Sequence, residues 1–315
     1  MKKYIIKRLL QLIPILIGIT LLSFVLMQAS AMDAVDVMEQ NTGGSMSDAE
    51  KAAVREELGL DKSLPEQYVV WLKGVLTGDM GKSFVSGQPV FTTFVSKLPA
   101  TIALAATSVL MTVLISIPLG ILSAVKQNHF WDHLIRFLSF IGNSLPNFFV
   151  SLLLIYIFSL KLGWFPVMGN AQGWKGIILP TLTLALAMAA KYTRQVRATV
   201  LEELNKEYVQ GARARGVREK KILYFSVLKA SMLTIVTLLA LSIGSLLGGT
   251  AIVESIFMWD GVGKMAVDAI TMRDYPVIQA YVIWMAVIYV LVNLVTDLIY
   301  CFLDPRIRIG QEAGG

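Results

Sequence analysis

The sequence predicts an all-α integral membrane protein with six spanning helices, and three observations predict it. First, 55% of the 315 residues are apolar and 16% are charged, against about 25% charged in a soluble domain. Second, the apolar residues gather into long charge-free runs. Third, the basic residues concentrate in particular gaps between those runs. The first observation excludes a disordered chain and argues against a soluble enzyme. The single cysteine, Cys301, makes no internal disulfide or thiolate cluster, and two histidines, His129 and His133, leave little imidazole chemistry.

A spanning helix needs about 20 apolar residues, since ~30 Å of hydrocarbon is crossed at 1.5 Å per residue. The charge-free runs are 9–31, 98–125, 137–160, 176–190, 230–253 and 275–296, the last continuing past Asp297 to residue 303. The fourth run is short and borrows its flanks. Lys2, Lys3, Lys7 and Arg8 ahead of the first run, with Ala-Ser-Ala at 29–31, fit a cleaved signal peptide. Against that reading, the 23-residue run exceeds a signal core of about 7–15 residues. A retained first helix is expected.

Six spans put both termini on one side. That side carries 18 of the 28 basic residues, ten of them in 191–229. The opposite side carries 10, diluted by 14 acidic residues. The N-terminal side is therefore expected to be cytoplasmic. The net charge of +6 reads as topology, and no nucleic-acid partner is expected. The organisation expected is an N-terminus and first span (1–31), an external helical segment (32–97), a core of five spans (98–303) and a cytoplasmic tail (304–315).

The external segment is long enough to fold. Ser47 and Glu50 make a capping box, opening a short helix that stops at Leu58 before Gly59. A second short helix starts near Pro65 and sets Tyr68, Trp71, Leu72 and Val75 at helical spacing. A structural cap and a docking surface both fit this segment. The 191–229 loop reads as two helical pieces joined at Gly216, with Gly211, Ala212 and Ala214 nearby. Small residues let another surface approach the backbone, so the loop reads as a docking element, with a merely solvated loop as the alternative.

Breakers inside the spans matter because lipid offers no hydrogen bonds to freed backbone groups. Pro118 and Gly120 are expected to interrupt span two, Asn143, Ser144, Pro146 and Asn147 span three, and Pro180 span four. Ala240, Gly244 and Gly248 recur at every fourth position of span five, a seam for close packing. Asn293 and Asp297 share one face of span six, and Asp297 serves either a neighbouring loop or the transport path.

Three patterns resemble sites and fail. Gly81-Lys82-Ser83 ends like a phosphate-binding loop, but Leu76 stands where its first glycine belongs. The run from Gly261 to Ala266 matches a dinucleotide fingerprint outside any strand–helix unit. His129 and His133, four apart with Asp132 between, are too few ligands for a metal site.

The segment Glu207-Tyr-Val-Gln-Gly-Ala-Arg-Ala-Arg-Gly216, preceded by Arg197-Ala-Thr-Val-Leu-Glu-Glu-Leu, resembles the "EAA" loop of binding-protein-dependent ABC import permeases. Further stretches agree in order: KKYIIKRLLQLIPILIGITLLSF, LGLDKSLPEQYVVWL, GDMGKS, LPATIALA, SIPLGILSAVK, SLPNFFVSLLLI, ILPTLTLALA, ESIFMWDGVGKMAVDAITMRDYPVIQ and LDPRIR. The resemblance is to the dipeptide/oligopeptide/nickel subfamily, and the short 161–175 loop with SLPNF is similar to the nickel-type permeases.

The resemblance implies a type I ABC importer permease fold, with the small helical segment between its first two helices. It implies a non-catalytic translocation subunit in a bacterial or archaeal cytoplasmic membrane. Nickel or another chelated metal is the expected cargo, with peptides as the alternative. The implied partners are a second homologous permease subunit, two cytoplasmic ATPase subunits and an extracytoplasmic substrate-binding protein, all meeting at the lipid bilayer. No cofactor is expected on this chain, ATP and magnesium belonging to the ATPases, and no metal site is expected.

By matching position, Tyr208, Ala212, Arg213, Ala214, Arg215 and Gly216 are implied to dock the ATPase. Asn143, Ser144, Pro146, Asn147, Gly244, Gly248 and Asp297 remain candidates for pathway lining or helix packing. After the loop the family usually reads His-x-Leu-Arg-Asn-Ala-x-x-Pro. Here Ser226, Leu228-Lys-Ala-Ser231 and Thr234 stand there without a proline, so a straighter approach to span five is expected. A secondary transporter or channel would want several intramembrane charges and internal repeats, and a membrane enzyme clustered catalytic groups. The sequence shows neither.

Overall fold

The computed structural model describes residues 2–29, 34–42, 46–169 and 173–303. The tail, with Arg306 and Arg308, and residues 30–31 of the Ala-Ser-Ala stretch lie outside the described residues. Among the described residues the regular structure is helical, apart from one antiparallel bridge between Lys82 and Pro89. The chain divides into two compact units, residues 1–101 with 260–291, and residues 102–259 with 292–315.

The first unit holds α1 (Lys2–Gln28), α2 (Ala34–Thr42), α3 (Asp48–Glu57) and α4 (Leu64–Thr77), and the first third of α5 (Val90–Val125). It also holds α12 (Val262–Met272) and much of α13 (Tyr275–Leu303). α3 opens on the expected capping box: the Glu50 N–H donates to Ser47 Oγ at 3.3 Å, and the Ser47 N–H donates to the Glu50 carboxylate at 2.8 Å. Its end is set by Gly59, at φ +65°. α4 has a second box from Ser63 and Glu66, Pro65 in its first turn, and Gly78 as a left-handed cap. Tyr68, Trp71, Leu72 and Val75 form its half-buried face. That face lies on α1: Tyr68 Oη is 3.0 Å from Thr20 Oγ1, and Phe24 sits edge-on to Tyr68 at 5.4 Å and tilted to Trp71 at 6.0 Å. Such ring pairs contribute about 0.5–1.5 kcal/mol beyond area burial.

Span three breaks where the sequence places its interruption, and the break is sharp. α6 (Phe130–Ser144) and α7 (Asn147–Leu154, continued by a π-turn over Ile155–Lys161) meet at a bend of 104°. Leu145 is extended because the ring of Pro146 disfavours helical backbone before it. The other expected breaks are absent. α5 runs unbroken through Pro118, which forfeits one hydrogen bond without ending the helix. Pro180 is the third residue of α8 (Ile178–Leu204), where no intrahelical donor is required.

Among the described residues three single helices are long and apolar enough to cross a membrane (Val90–Val125, Gly173–Leu204 and Tyr275–Thr296), and the bent pair, counted as one span, makes a fourth. α1 and α11 (Leu228–Ile256) cover the other two expected runs. The 254–274 stretch, taken as a loop from sequence, contains α12. Its buried Val262, Ala266 and Ala269 recur at helical spacing.

Gly120 answers to packing rather than to a break. A Cβ there would lie 2.6 Å from the Val196 side chain on α8, and one on Gly142 would lie 2.9 Å from Ala190 Cβ. Gly120→Ala is expected to lower stability by ~1–3 kcal/mol through overpacking, with partial recovery in Gly120→Ala/Val196→Ala. Thermal unfolding of the detergent-purified protein measures both. A Gly120→Ala melting point equal to wild type would show that α5 and α8 tolerate wider separation.

Candidate functional site

The second unit builds its core around α8, which packs against α6, α7 and α11. At one end, Val196 and Val200 of α8 join Ala124, Ile222, Val227 and Ile235 in a buried cluster. Into this cluster α9 (Glu207–Ala214) inserts Val209, fully buried, with half-buried Ala212 packed beside it. The loop is therefore not a free solvated excursion. It is a short amphipathic helix seated on the base of the bundle by a valine that sequence reasoning passed over.

The remaining expected docking residues lie on the outside. Tyr208, Arg213, Ala214, Arg215 and Gly216 are all exposed. Ala212 is the exception and corrects part of the expectation: its small side chain fits the cluster beneath α9 as well as any surface above. Gly216 has φ +75°, with open space where a Cβ would point. Its left-handed backbone turns the chain from α9 into α10 (Glu219–Lys221). From there helix continues through a π-turn at Ile222–Val227 into α11, so the proline-free approach to span five is unbroken.

One ion pair and one hydrogen bond to a carboxylate fix the loop. Across the Gly216 turn, Arg213 donates from Nε and Nη2 to the Glu219 carboxylate at 2.7 and 3.2 Å. Arg213 holds the Glu219 carboxyl below its ordinary value, so the staple is full at neutral pH and fades as acid protonates Glu219. Tyr208 Oη donates to Glu203 at 2.9 Å. Partial burial, then this bond, pushes the Tyr208 hydroxyl up to about 12, keeping it a donor at neutral pH. Arg215 is exposed and makes no ion pair among the described residues.

A deeper anchor was missed in the sequence. Asp132, fully buried in the first turn of α6, accepts a fork from Arg197 of α8, Nε and Nη2 each at 2.7 Å. It also accepts Ser123 Oγ at 2.6 Å and the Asn128 N–H at 2.9 Å. Four donors on one carboxylate satisfy its lone pairs, which explains why a buried charge is tolerated here. Within the His129–Asp132–His133 pattern, the aspartate is thus a structural carboxylate. Among the described residues no group of three metal-ligating side chains occurs.

The Gly81-Lys82-Ser83 decoy has a job too. In the first unit the Ser83 hydroxyl donates to Asp274 at 2.5 Å and the Phe84 N–H donates to the same carboxylate at 3.0 Å. These bonds tie the 79–90 turn to the end of α12. Nearby, Lys97 pairs with Asp260, and the Val262 N–H donates to Thr101 at 2.9 Å.

Of the candidates for pathway lining or helix packing, Asn143, Ser144 and Pro146 are exposed at the α6–α7 bend and Asn147 is half-buried. Gly244 is buried in α11. Gly248 and Asp297 lie in α11 and α13, and their side-chain surroundings lie outside the described residues.

Helices of membrane-spanning length, with a seated, glycine-turned helix between two of them, make up the described architecture. Two family models give its class. "Binding-protein-dependent transport system inner membrane component" matches residues 116–309, and the N-terminal model of such components matches 1–105. The chain belongs to this family of ABC importer permeases. It is 40% identical to the oligopeptide transport system permease protein AppB of Bacillus subtilis (strain 168), over 98% of this chain and 100% of that protein. It is 39% identical to the glutathione transport system permease protein GsiC of Salmonella paratyphi A, over 98% and 99%. Among solved structures it matches an inward-facing MetNI methionine ABC transporter, with TM-score 0.55 and 17% identity, over 67% of this chain and 96% of that one. An amino acid ABC transporter solved with histidines matches with TM-score 0.55 and 16% identity, over 66% and 93%. At these identities the structures show a shared fold.

Asp132→Ala is expected to lower stability by ~3 kcal/mol, because it strands the Arg197 guanidinium, with Asp132→Ala/Arg197→Leu less damaging than the single change. Thermal unfolding of all three proteins checks this. A single-variant loss within about 0.5 kcal/mol, the range of ordinary surface changes, would show that the pair does not anchor α6 to α8.

Proposed function

We propose that this chain is the translocation subunit of a peptide importer. The carrying observation is its near full-length similarity to oligopeptide and glutathione permeases. These relatives favour the peptide alternative over the nickel cargo expected from the short 161–175 loop, and nickel is set aside. Loop length proved a poor guide because an external loop meets the delivering protein as well as the cargo.

In this reading the chain pairs with a second permease subunit, receives cargo from an external binding protein, and takes its motion from ATPase subunits seated on α9. Both termini and the 191–229 loop face the cytoplasm, where the basic residues concentrate. Val209 fixes α9 to the bundle, so that a push on the exposed Tyr208–Arg215 side reaches α8 and α11 directly. The Gly216 turn sets the return angle, and Arg215 offers charge to an acidic rim. The bent α6–α7 span exposes Asn143, Ser144 and Pro146 as passage-lining groups. ATP and magnesium stay on the partner subunits, and the purified chain alone is expected to hydrolyse no ATP.

The coupling role is tested by co-purifying ATPase subunits with wild type, Gly216→Leu and Arg215→Glu. Gly216→Leu forces a branched side chain into left-handed backbone at a local cost of ~1–2 kcal/mol, and both variants are expected to insert normally while losing ATPase and transport. Arg215→Glu should weaken more at low salt, where charges are less screened. Equal recovery and transport by all three would remove α9 as the coupling element. Cargo is tested by uptake into proteoliposomes of the full transporter. A labelled short peptide should enter in an ATP-dependent manner, and accumulation of chelated nickel without peptide would reverse the assignment.

A further inference from the structure

A cleft in the second unit lies beside the Asp132–Arg197 anchor. It has a volume of about 480 Å³ and is lined by His133, Arg136, Phe137 and Phe140 of α6 and by Arg194 and Arg197 of α8. The α6 residues stand at helical spacing on one stripe, next to the buried stripe of Asp132, Ile135 and Ser139. Arg136, Arg194 and His133 make no ion pair among the described residues. No acidic residue is among these lining residues, and the Arg197 fork is taken up by buried Asp132 behind them. Phe137 and Phe140, one to two turns further along α6, are 61% and 64% exposed.

Along this stripe His133 comes first, Arg136 and Phe137 adjoin in mid-helix, and Phe140 lies one turn beyond Arg136 towards the bend. The cationic groups of the cleft thus precede the outermost ring. A guanidinium offers planar paired donors that fit phosphate oxygens, and it is weakly hydrated enough to bind them at a membrane boundary. The order, charge outside and rings inside, is that of a single phospholipid. Basic clefts between spanning helices at a cytoplasmic boundary suit anionic headgroups.

We propose that this cleft binds an anionic phospholipid, its phosphate held by Arg136 and Arg194 and an acyl chain lying along Phe137 and Phe140. Because Arg197 already holds Asp132, a lipid here would brace the α6–α8 joint from which the α8–α9 loop descends. The proposal rests on the permease reading only for the leaflet concerned, the cytoplasmic one.

The test uses the complete transporter, delipidated in detergent and titrated with phosphatidylglycerol or phosphatidylcholine, with retained lipid counted by native mass spectrometry. One phosphatidylglycerol per copy is expected at an affinity at least about tenfold above phosphatidylcholine, given the strength of paired basic groups towards anionic lipid. Arg136→Gln/Arg194→Gln should lose that preference, and Arg136→Lys/Arg194→Lys should keep part of it. Both leave Asp132 and Arg197 untouched, so an unchanged melting temperature in phosphatidylcholine separates lost binding from misfolding.

Three outcomes overturn the proposal: equal affinity for both lipids in wild type, an unchanged preference in the Gln variant, or inorganic phosphate alone displacing the lipid at equal affinity. Disulfide cross-linking of Phe140→Cys to the second permease subunit, with no lipid retained, would assign the cleft to a subunit contact instead. Retained ATPase co-purification in any of these cases would leave the permease reading standing. Its loss in wild type would fault that reading alone.

Discussion

One buried carboxylate organises the second unit. Asp132 is taken from water at the start of α6, and a lone charge there would be prohibitive. It is accommodated because Ser123, the Asn128 amide and the fork of Arg197 together meet its acceptor sites. Those donors come from the end of α5, the turn after it and the middle of α8, so one side chain fixes the mutual position of three segments. The bent span begins at this point, and the α9 loop hangs from the helix that supplies the arginine. A shift of α8 must carry α6 with it or break a pair whose separation leaves a charge buried.

Rigidity at that joint gives the loop its mechanical meaning. A helix docked by surface charge alone would swivel when pushed. Val209 and half-buried Ala212 prevent this by placing α9 in the cluster formed by α8 and the start of α11. The Arg213–Glu219 staple then closes the Gly216 turn from outside, where solvent screening makes it a modest contributor. Burial supplies the seating and leaves the polar groups exposed. That division explains why small and charged residues alternate through the segment.

The legible and illegible parts of the fold separate by the range of the interactions involved. Capping at Ser47, the stop at Gly59, the amphipathic face of α4 and the turn at Gly216 all follow from residues within four positions of each other, and the structure has each of them. The family resemblance was legible from ordered motifs. What failed needed partners distant in sequence. Pro118 reads as a break until α5 is seen to continue through it. Gly120 reads as a break until Val196 is found against it. Asp132 reads as half of a metal pattern until Arg197, 65 positions away, is found in contact. The severity of the α6–α7 bend was also out of reach, since Pro146 fixes only the backbone preceding it and not the angle that follows.

The same distinction governs what the candidate residues can mean. Asn143, Ser144 and Pro146 stay exposed at a sharp bend inside a span. Part of their polar capacity is met locally: the Ser144 hydroxyl donates to the Phe140 carbonyl at 2.8 Å, and the Pro146 carbonyl accepts from the Phe149 and Val150 N–H groups at 3.0 and 3.1 Å. Among the described residues the side-chain amide of Asn143, on the exposed face, has no such local answer, and lipid offers it no hydrogen bond. Water or another protein surface suits that side of the bend better than hydrocarbon does, which separates the exposed polar bend from the apolar faces on either side of it.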